Sequence, residues 1–317
     1  MCVSSCWYTH RLLAETTHAI LWQMKVLLIG ASGQLAQDLR PCLERNKDSV
    51  VPITHEQLDI RDAKRVRDAV AQAKPDVIIN TAAFHRVDDC EDNQELAFAV
   101  NEGGVANVAQ AAESASARLI QFSTDYVFDG SKRRPYVEQD VPQPLSVYAK
   151  SRLAGEQAVR KNCSRYLIVR TCGLYGLAGS RSKAGNFVET MLRLAAQGRK
   201  LSVVDDQVCT PTSTSDLANH LVPLIHVGAH GLFHMTSTGQ CSWFQFAQEI
   251  FRLSGTRAKL SATSSEAYGA KAKRPAYSVL DNAQLRANGF ADFRPWQEAL
   301  AEYIRLRQQA GSAAGPA

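Results

Sequence analysis

Two short stretches carry residues that could act on a carbonyl group. Ser123-Thr124-Asp125-Tyr126 closes an apolar run, Arg118-Leu-Ile-Gln-Phe122, that reads as a strand. Ser146-Val-Tyr148-Ala-Lys150-Ser-Arg152-Leu-Ala-Gly-Glu156 follows an irregular segment holding Pro135, Pro142 and Pro144. Ser146 can cap a helix on which Tyr148 and Arg152 stand one turn apart and share a face, while Lys150 points away from it. Carbonyl reduction needs an acid that gives its proton to oxygen as hydride arrives at carbon. Free tyrosine has a pKa of about 10, and bringing it to about 7 takes roughly three units, or about 4 kcal/mol. One cation within about 4 to 6 Å supplies about 1 to 3 units, so the neighbour is needed and a facing hydroxyl such as Thr124 helps. Taken alone, Tyr148 and Arg152 also suit an ordinary surface helix.

The element that gives this pair a context lies upstream. Lys25-Val-Leu-Leu-Ile-Gly30-Ala-Ser-Gly33-Gln-Leu-Ala36 is an apolar run that stops at a glycine and restarts in helical spacing. Gly30 allows the sharp turn, Gly33 clears the helix start, and Ala36 lets the helix lie close on the sheet. Free N–H groups at that start, with the positive end of the helix dipole, make a seat for a pyrophosphate. The first step of the pattern is one residue longer than the commonest dinucleotide fingerprint, and a plain strand-to-helix turn would read the same way.

Alternation continues along the chain. Ser49-Val-Val-Pro-Ile53 reads as a second strand, followed by Thr54 and His55 with no carboxylate until Glu56. An acidic side chain there holds the ribose hydroxyls of NAD, so its absence points toward NADP unless Glu56 swings in. A helix over 62–73 precedes a third strand over 75–80, which runs into Thr81-Ala82-Ala83, small enough for a flat ligand or for close sheet packing. Asp88, Asp89, Glu91 and Asp92 resemble a metal cluster but are expected to be the solvated start of a helix from Asn93 onward. The fourth strand ends at Ser123-Thr124, the edge where open α/β sheets bind ligands.

The fold class expected is α/β, a doubly wound Rossmann-like parallel sheet with a smaller, discontinuous C-terminal substrate lobe. Residues 24–172 are expected to form the NAD(P)-binding domain, with strands inside 201–235 rejoining its sheet, and 173–310 to form mainly the substrate lobe. Residues 1–23 read as a poorly ordered extension before a functional start at Met24, and 311–317 as a disordered tail. Helices are expected over 186–197, 215–225, 242–254 and 296–307, with Trp243, Phe246 and Trp296 in their core and His220 and His234 packing.

At 317 residues and a net charge of +5, with Lys and Arg scattered, nothing calls for nucleic acid, and anionic small substrates remain compatible. Eight cysteines without a Cys-x-x-Cys pair disfavour zinc and suit a reduced, cytoplasmic chain. No run of 18 apolar residues exists to cross a membrane.

Together these motifs resemble the extended short-chain dehydrogenase/reductases, and most closely the dTDP-4-dehydrorhamnose reductase family, from Met24 to about Gln309. The matching stretches are Gly30-Ala-Ser-Gly33-Gln-Leu-Ala36, Asn80-Thr-Ala-Ala83, Ser123-Thr-Asp-Tyr-Val-Phe-Asp-Gly130, Tyr148 to Glu156 and Arg170-Thr-Cys-Gly-Leu-Tyr175. Asn186-Phe187, Asp206-Gln-Val-Cys-Thr-Pro-Thr212 and Arg274-Pro275 continue them. The resemblance implies reduction of the C4 ketone of a dTDP-4-keto-6-deoxy-L-hexose by NADPH or NADH, forming dTDP-L-rhamnose. It makes Tyr148 the proton donor, Thr124 the hydroxyl beside the substrate oxygen and Arg152 the cation at the nicotinamide ribose. Gly30, Ser32, Gly33, Gln34 and Leu35 would hold the pyrophosphate, Asp59 and Ile60 flank the adenine, and Ala82, Ala83 and Phe84 line the cofactor channel. Asp125, Tyr126, Asn186 and Arg274 would complete the nucleotide-sugar site, with no metal, and a homodimer is compatible.

Two departures stand out. The family pattern is Tyr-x-x-x-Lys, whereas the cation here is Arg152, whose planar fork does not replace a compact ammonium. At Cys172-Gly173 better-known members carry a tryptophan that packs on the sugar. A 4,6-dehydratase shares the fold but needs a carboxylate where Tyr126 stands. An epimerase, or a non-catalytic subunit like the regulatory subunit of methionine adenosyltransferase, are the other readings the resemblance leaves open.

Overall fold

The computed structural model describes residues 23–178 and 185–313. The expectations for residues 1–22 and 314–317 therefore lie outside the described residues. Its centre is a sheet built from β1 (Lys25–Ile29), β2 (Ser49–Ile53), β3 (Val77–Asn80), β4 (Arg118–Thr124) and β5 (Tyr166–Thr171). Two further strands, β6 (Lys200–Val204) and β7 (Val208–Cys209), precede β8 (Gly231–His234), which completes the sheet. The order is β2-β1-β3-β4-β5-β8 and every pair is parallel. The chain steps outward from β1 to β2 and then returns to lay β3 on the other side of β1. That reversal opens a crevice at the carboxyl ends of β1 and β3, where ligands of open α/β sheets bind.

Both faces of the sheet are covered, which explains why β1 and β3 are continuous apolar runs and not alternating ones. Val26 and Leu28 point into one cluster with Leu35 and Leu39 of α1 (Gln34–Arg45). Leu27 and Ile29 point into the opposite cluster with Val66 and Val70 of α2 (Ala63–Ala73). The acidic run expected at a helix start forms its own short helix, α3 (Val87–Asp92), followed by α4 (Gln94–Phe98). A π-helical turn, Ala99–Gly104, then leads into α5 (Val105–Ser114), which shares the α2 side of the sheet. Those acids are not simply solvated, because Asp88 pairs with Arg274 and Asp92 with Lys271. Among the described residues no group of three His, Cys, Asp or Glu could hold a metal.

The helix bearing Tyr148 and Arg152 is α6 (Val147–Asn162). Beyond β5 come α7 (Phe187–Ala196) and α8 (Thr214–His226), the latter packing beside α1. After β8, strand β9 (Cys241–Ser242) pairs antiparallel with β7 and leads into α9 (Trp243–Ser254). Strand β10 (Lys259–Thr263) follows, then α10 (Ser265–Tyr268), α11 (Ala283–Ala287) and α12 (Trp296–Ala313).

Of the two segments expected to rejoin the sheet, only β8 does. β6 pairs in parallel with β10 instead, since its apolar face meets α7 and α9 and not α6. That separate cluster holds Val188, Leu192, Leu201, Phe246, Ile250 and Leu300, with Trp296 inside it and Trp243 half-buried at its edge. Residues 311–313 continue α12 and are not a coil. His234 is buried and bonded to the Tyr136 carbonyl, and His220 stacks on Phe293 at 3.8 Å.

Candidate active site

The glycine turn sits at the crevice. Gly30 adopts φ +79, and its N–H and that of Ala31 both donate to the Ile53 carbonyl, which locks the turn against β2. A Cβ at Gly30 would stand 2.6 Å from Thr81 Oγ1 and 2.9 Å from Ala82 N, so only glycine lets β1 and β3 meet this closely. Gly33 is the N-cap of α1 and has no side-chain cap, which leaves the first N–H groups of a twelve-residue helix without a capping side chain. Gln34 and Leu35 occupy that first turn beside Ser32; the Gln34 amide donates to the Leu174 carbonyl, and its Oε1 is buried without a partner. A side-chain-free cradle and uncapped donors fit the pyrophosphate of a dinucleotide.

The flanks are built around that turn. Asp59 is held by Arg61 through paired bonds, which keeps its carboxyl below the ordinary range. Ile60 is buried against Gly104, and Asn107 ties its carbonyl to α5. On the other side the 82–84 loop is fixed by Asn101 of the π-helical turn. Its amide accepts from Phe84 N, and donates to Phe84 O and Ser151 Oγ, each at 2.9 Å. Sequence reasoning passed over Asn101; the signal was Gly155 inside α6, where a Cβ would come within 2.2 Å of the Asn101 carbonyl.

α6 begins where the sequence places it, with Ser146 accepting from Ala149 N. Its inner face carries Tyr148, half-buried, and Arg152, buried with its guanidinium centre 5.9 Å from the Tyr148 ring centroid. Arg152 also donates to the Phe122 carbonyl of β4. Two residues further along that strand, Thr124 donates to Asp125 Oδ1 at 3.0 Å and lies close enough to the Tyr148 phenol to pull its pKa down. The strand end and the helix face therefore bring Thr124, Tyr148 and Arg152 together.

Electrostatics modify the expectation for the acid. Burial pushes the Tyr148 pKa up, and although Arg152 and Thr124 pull it down, Asp125 and Cys90 add to the rise. The cation does not bring the tyrosine toward neutrality here; the site keeps the phenol protonated, as a proton donor must be. Asp125 is likewise pushed up by burial, which neighbouring Ser278, Cys172 and Thr124 partly offset.

Next to this group stands Tyr126, edge-on to Tyr148 with ring centroids 6.2 Å apart. Burial and Asp125 push its pKa well up, while Arg274 pulls it down. Arg274 is held by Asp88 through bonds of 3.1 and 2.7 Å, so a cation sits beside Tyr126 with its geometry fixed. Asn186 is placed differently. It caps α7 by accepting from Glu189 N, and donates to the Gly176 carbonyl at 2.9 Å, so its side chain serves the fold. Cys172 is a buried free thiol whose pKa is pushed well up by neighbouring Cys209, by burial and by Asp125. Gly173 has φ +55, and a Cβ there would meet Pro211 Cα at 3.2 Å and the Trp243 indole at 3.3 Å.

The likenesses to known proteins agree with this arrangement. The family model described as the RmlD substrate binding domain matches residues 24–308. A dTDP-4-dehydrorhamnose reductase of Streptomyces griseus is 42% identical over 283 residues, covering 87% of this chain and 91% of that protein. The crystal structure of a dTDP-4-dehydrorhamnose reductase from Clostridium acetobutylicum superposes with a TM-score of 0.86 at 43% identity, covering 90% of this chain and 100% of that one. A dTDP-4-dehydrorhamnose reductase from Bacillus anthracis in complex with NADP gives 0.85 at 38% identity, covering 89% of this chain and 99% of that one. With the match running through the glycine turn, the Thr124 strand end and the Tyr148 helix alike, the chain belongs to the dTDP-4-dehydrorhamnose reductase family.

Proposed function

We propose that this chain reduces the C4 ketone of a dTDP-4-keto-6-deoxy-L-hexose with NADPH or NADH, giving dTDP-L-rhamnose. The observation that carries the reading is the convergence of Tyr148, Thr124 and Arg152 at the carboxyl edge of the sheet, beside a helix start open to a pyrophosphate. The reduced nicotinamide supplies the hydride when bound. Gly30, Ser32, Gly33, Gln34 and Leu35 would seat its pyrophosphate, Asp59 and Ile60 its adenine, and Ala82, Ala83 and Phe84 its channel. Tyr148 gives its proton to the ketone oxygen as charge develops there, a downhill transfer because an alkoxide is far more basic than a phenolate. Thr124, turning its hydroxyl from Asp125, would donate to the same oxygen or to the phenolate left behind, and Arg152 holds positive charge beside the phenol.

Arg274, steadied by Asp88, is the cation placed for the nucleoside diphosphate, with Tyr126 beside it and Asp125 behind. A homodimer belongs to the reading through the family resemblance. A reducing, cytoplasmic setting is supported by the free, buried Cys42, Cys90, Cys163, Cys172, Cys209 and Cys241.

Incubation with enzymatically made dTDP-4-keto-6-deoxy-L-mannose, following loss of nicotinamide absorbance with each cofactor, tests the function. Stoichiometric consumption of the reduced cofactor is expected. Epimerised product without consumption, or no turnover together with capture of a synthetase partner, would replace it with one of the other family activities.

A further inference from the structure

Arg152 and Glu156 stand four residues apart on α6, the spacing at which a helical cation and carboxylate ordinarily pair. They do not pair here. Glu156 is taken by Arg170 of β5, with Arg170 Nε donating to Oε1 at 2.8 Å and Nη2 to Oε2 at 2.7 Å. Ser123 Oγ donates to Oε1 at 2.6 Å, and Arg160 reaches Oε2 at 3.4 Å from the rim. Both members of the central pair are buried, with 1% of the Arg170 side chain and none of the Glu156 side chain exposed. Arg152 instead donates to the Phe122 carbonyl and faces the Tyr148 ring.

We propose that Arg170 is a positioning residue that holds Glu156 away from Arg152 and so leaves a cation facing Tyr148. This rests on the reading of Tyr148 as the proton donor. A carboxylate bonded to Arg152 would cancel most of that cation's field at the phenol and turn the guanidinium away from Phe122. Without Arg170, Glu156 keeps only Ser123 and the 3.4 Å contact of Arg160 at the rim, too little for a fully buried charge, and Arg152 is the cation one turn before it on its own helix. The groups acting on Tyr148 are Arg152 from its own helix, Thr124 and Asp125 from the β4 edge, and Cys90 from α3. Among these Arg152 is the cation, so its capture would shift the site in one direction. Ser123, the residue before Thr124, fixes Glu156 to the same strand end, so a single cluster sets both the reach of α6 and the freedom of its arginine.

Crystal structures and pH profiles of R170M, E156Q and the double variant E156M/R170M test the proposal. In R170M the Arg152 guanidinium is expected within hydrogen-bond distance of Glu156 and off the Phe122 carbonyl. Its kcat should fall about tenfold or more, and the basic limb of the profile should move to higher pH. E156Q and the double variant contain no carboxylate to capture Arg152, so both should keep the wild-type limb, and the double variant should recover most of the kcat lost in R170M. A folded R170M with Arg152 still on Phe122 and an unmoved limb overturns the proposal. Should R170M fail to fold, a shifted limb in E156Q or the double variant overturns it equally, and unshifted limbs support it. The crystallographic position of Arg152 decides the matter even if the wild type turns over no keto sugar, an outcome that would sink the proposed function instead.

Discussion

Removing the cation altogether, with Arg152→Met, isolates what it contributes to the acid. Its charge centre lies 5.9 Å from the Tyr148 ring centroid. At an effective dielectric of about 20, Coulomb's law gives about 3 kcal/mol between a guanidinium and a phenolate at that distance, or about two pKa units. The sign is fixed by the chemistry. With Tyr148 as the proposed proton donor, active only when protonated, activity is present below its pKa and lost above it. Loss of the cation raises a pKa that burial has already raised, so the basic limb of kcat should move up by about two pH units. The phenol also becomes a poorer donor, and a half-transferred proton makes that about a tenfold fall in kcat, a fully transferred one about a hundredfold.

The same substitution leaves the Phe122 carbonyl without this donor, at a cost of about 1 to 3 kcal/mol in stability. Urea unfolding therefore accompanies the kinetics, so that loss of folded protein is not read as loss of catalysis. Arg152→Lys retains the charge and should fall between wild type and Arg152→Met in the position of its limb. The reasoning is refuted if folded Arg152→Met keeps wild-type kcat and an unmoved limb.

Gly30→Ala should weaken NADPH binding at least about tenfold in a fluorescence titration, because the left-handed backbone and the contacts with Thr81 and Ala82 cannot both be kept. Unchanged affinity would mean the turn does not seat the cofactor. Asn101→Ala leaves both backbone groups of Phe84 without their clamp and should cost about 2 to 4 kcal/mol in urea unfolding, with weaker cofactor binding. His234 is held neutral by burial and by Arg170, with its pKa lowered to about 3. Folded protein therefore binds fewer protons than unfolded chain below pH 6.5, and stability falls as pH drops from there toward 3, by up to about 1.4 kcal/mol per unit. Urea midpoints should decline less steeply with acid in His234→Gln.

The parts of the fold legible in the sequence were those fixed by neighbours in the chain. The β1 run, its glycine stop and the Ser146 cap each encode their own geometry locally, and Tyr148 and Arg152 share a face by helical period alone. What escaped was set by partners far away. β6 reads as a strand in isolation, but its pairing with β10 depends on which face α7 and α9 cover. Asp88 looked solvated because Arg274, about 186 residues later, is invisible to any window. Asn186 carried the composition of a ligand-binding residue and the position of a helix cap, and the structure uses the second. Glu156 lay within the motif that pointed to Tyr148, yet its bond to Arg170 required knowing that β5 lies behind α6.

The widened turn at Ala99–Gly104 makes this region unforgiving of length change. It spends an extra residue before α5, so the downstream helix presents Val105, Val108 and Ala109 to the sheet while Asn101 still faces the Phe84 loop. A π-helical turn absorbs one residue beyond ordinary α-winding, so deleting one there would let the helix close with α5 still in phase but would remove the turn that aims Asn101 at Phe84. Inserting one would rotate everything after it by about 100° and swing the apolar stripe off the sheet. A one-residue deletion between 99 and 104 thus costs the clamp on the Phe84 loop, and a one-residue insertion costs the core.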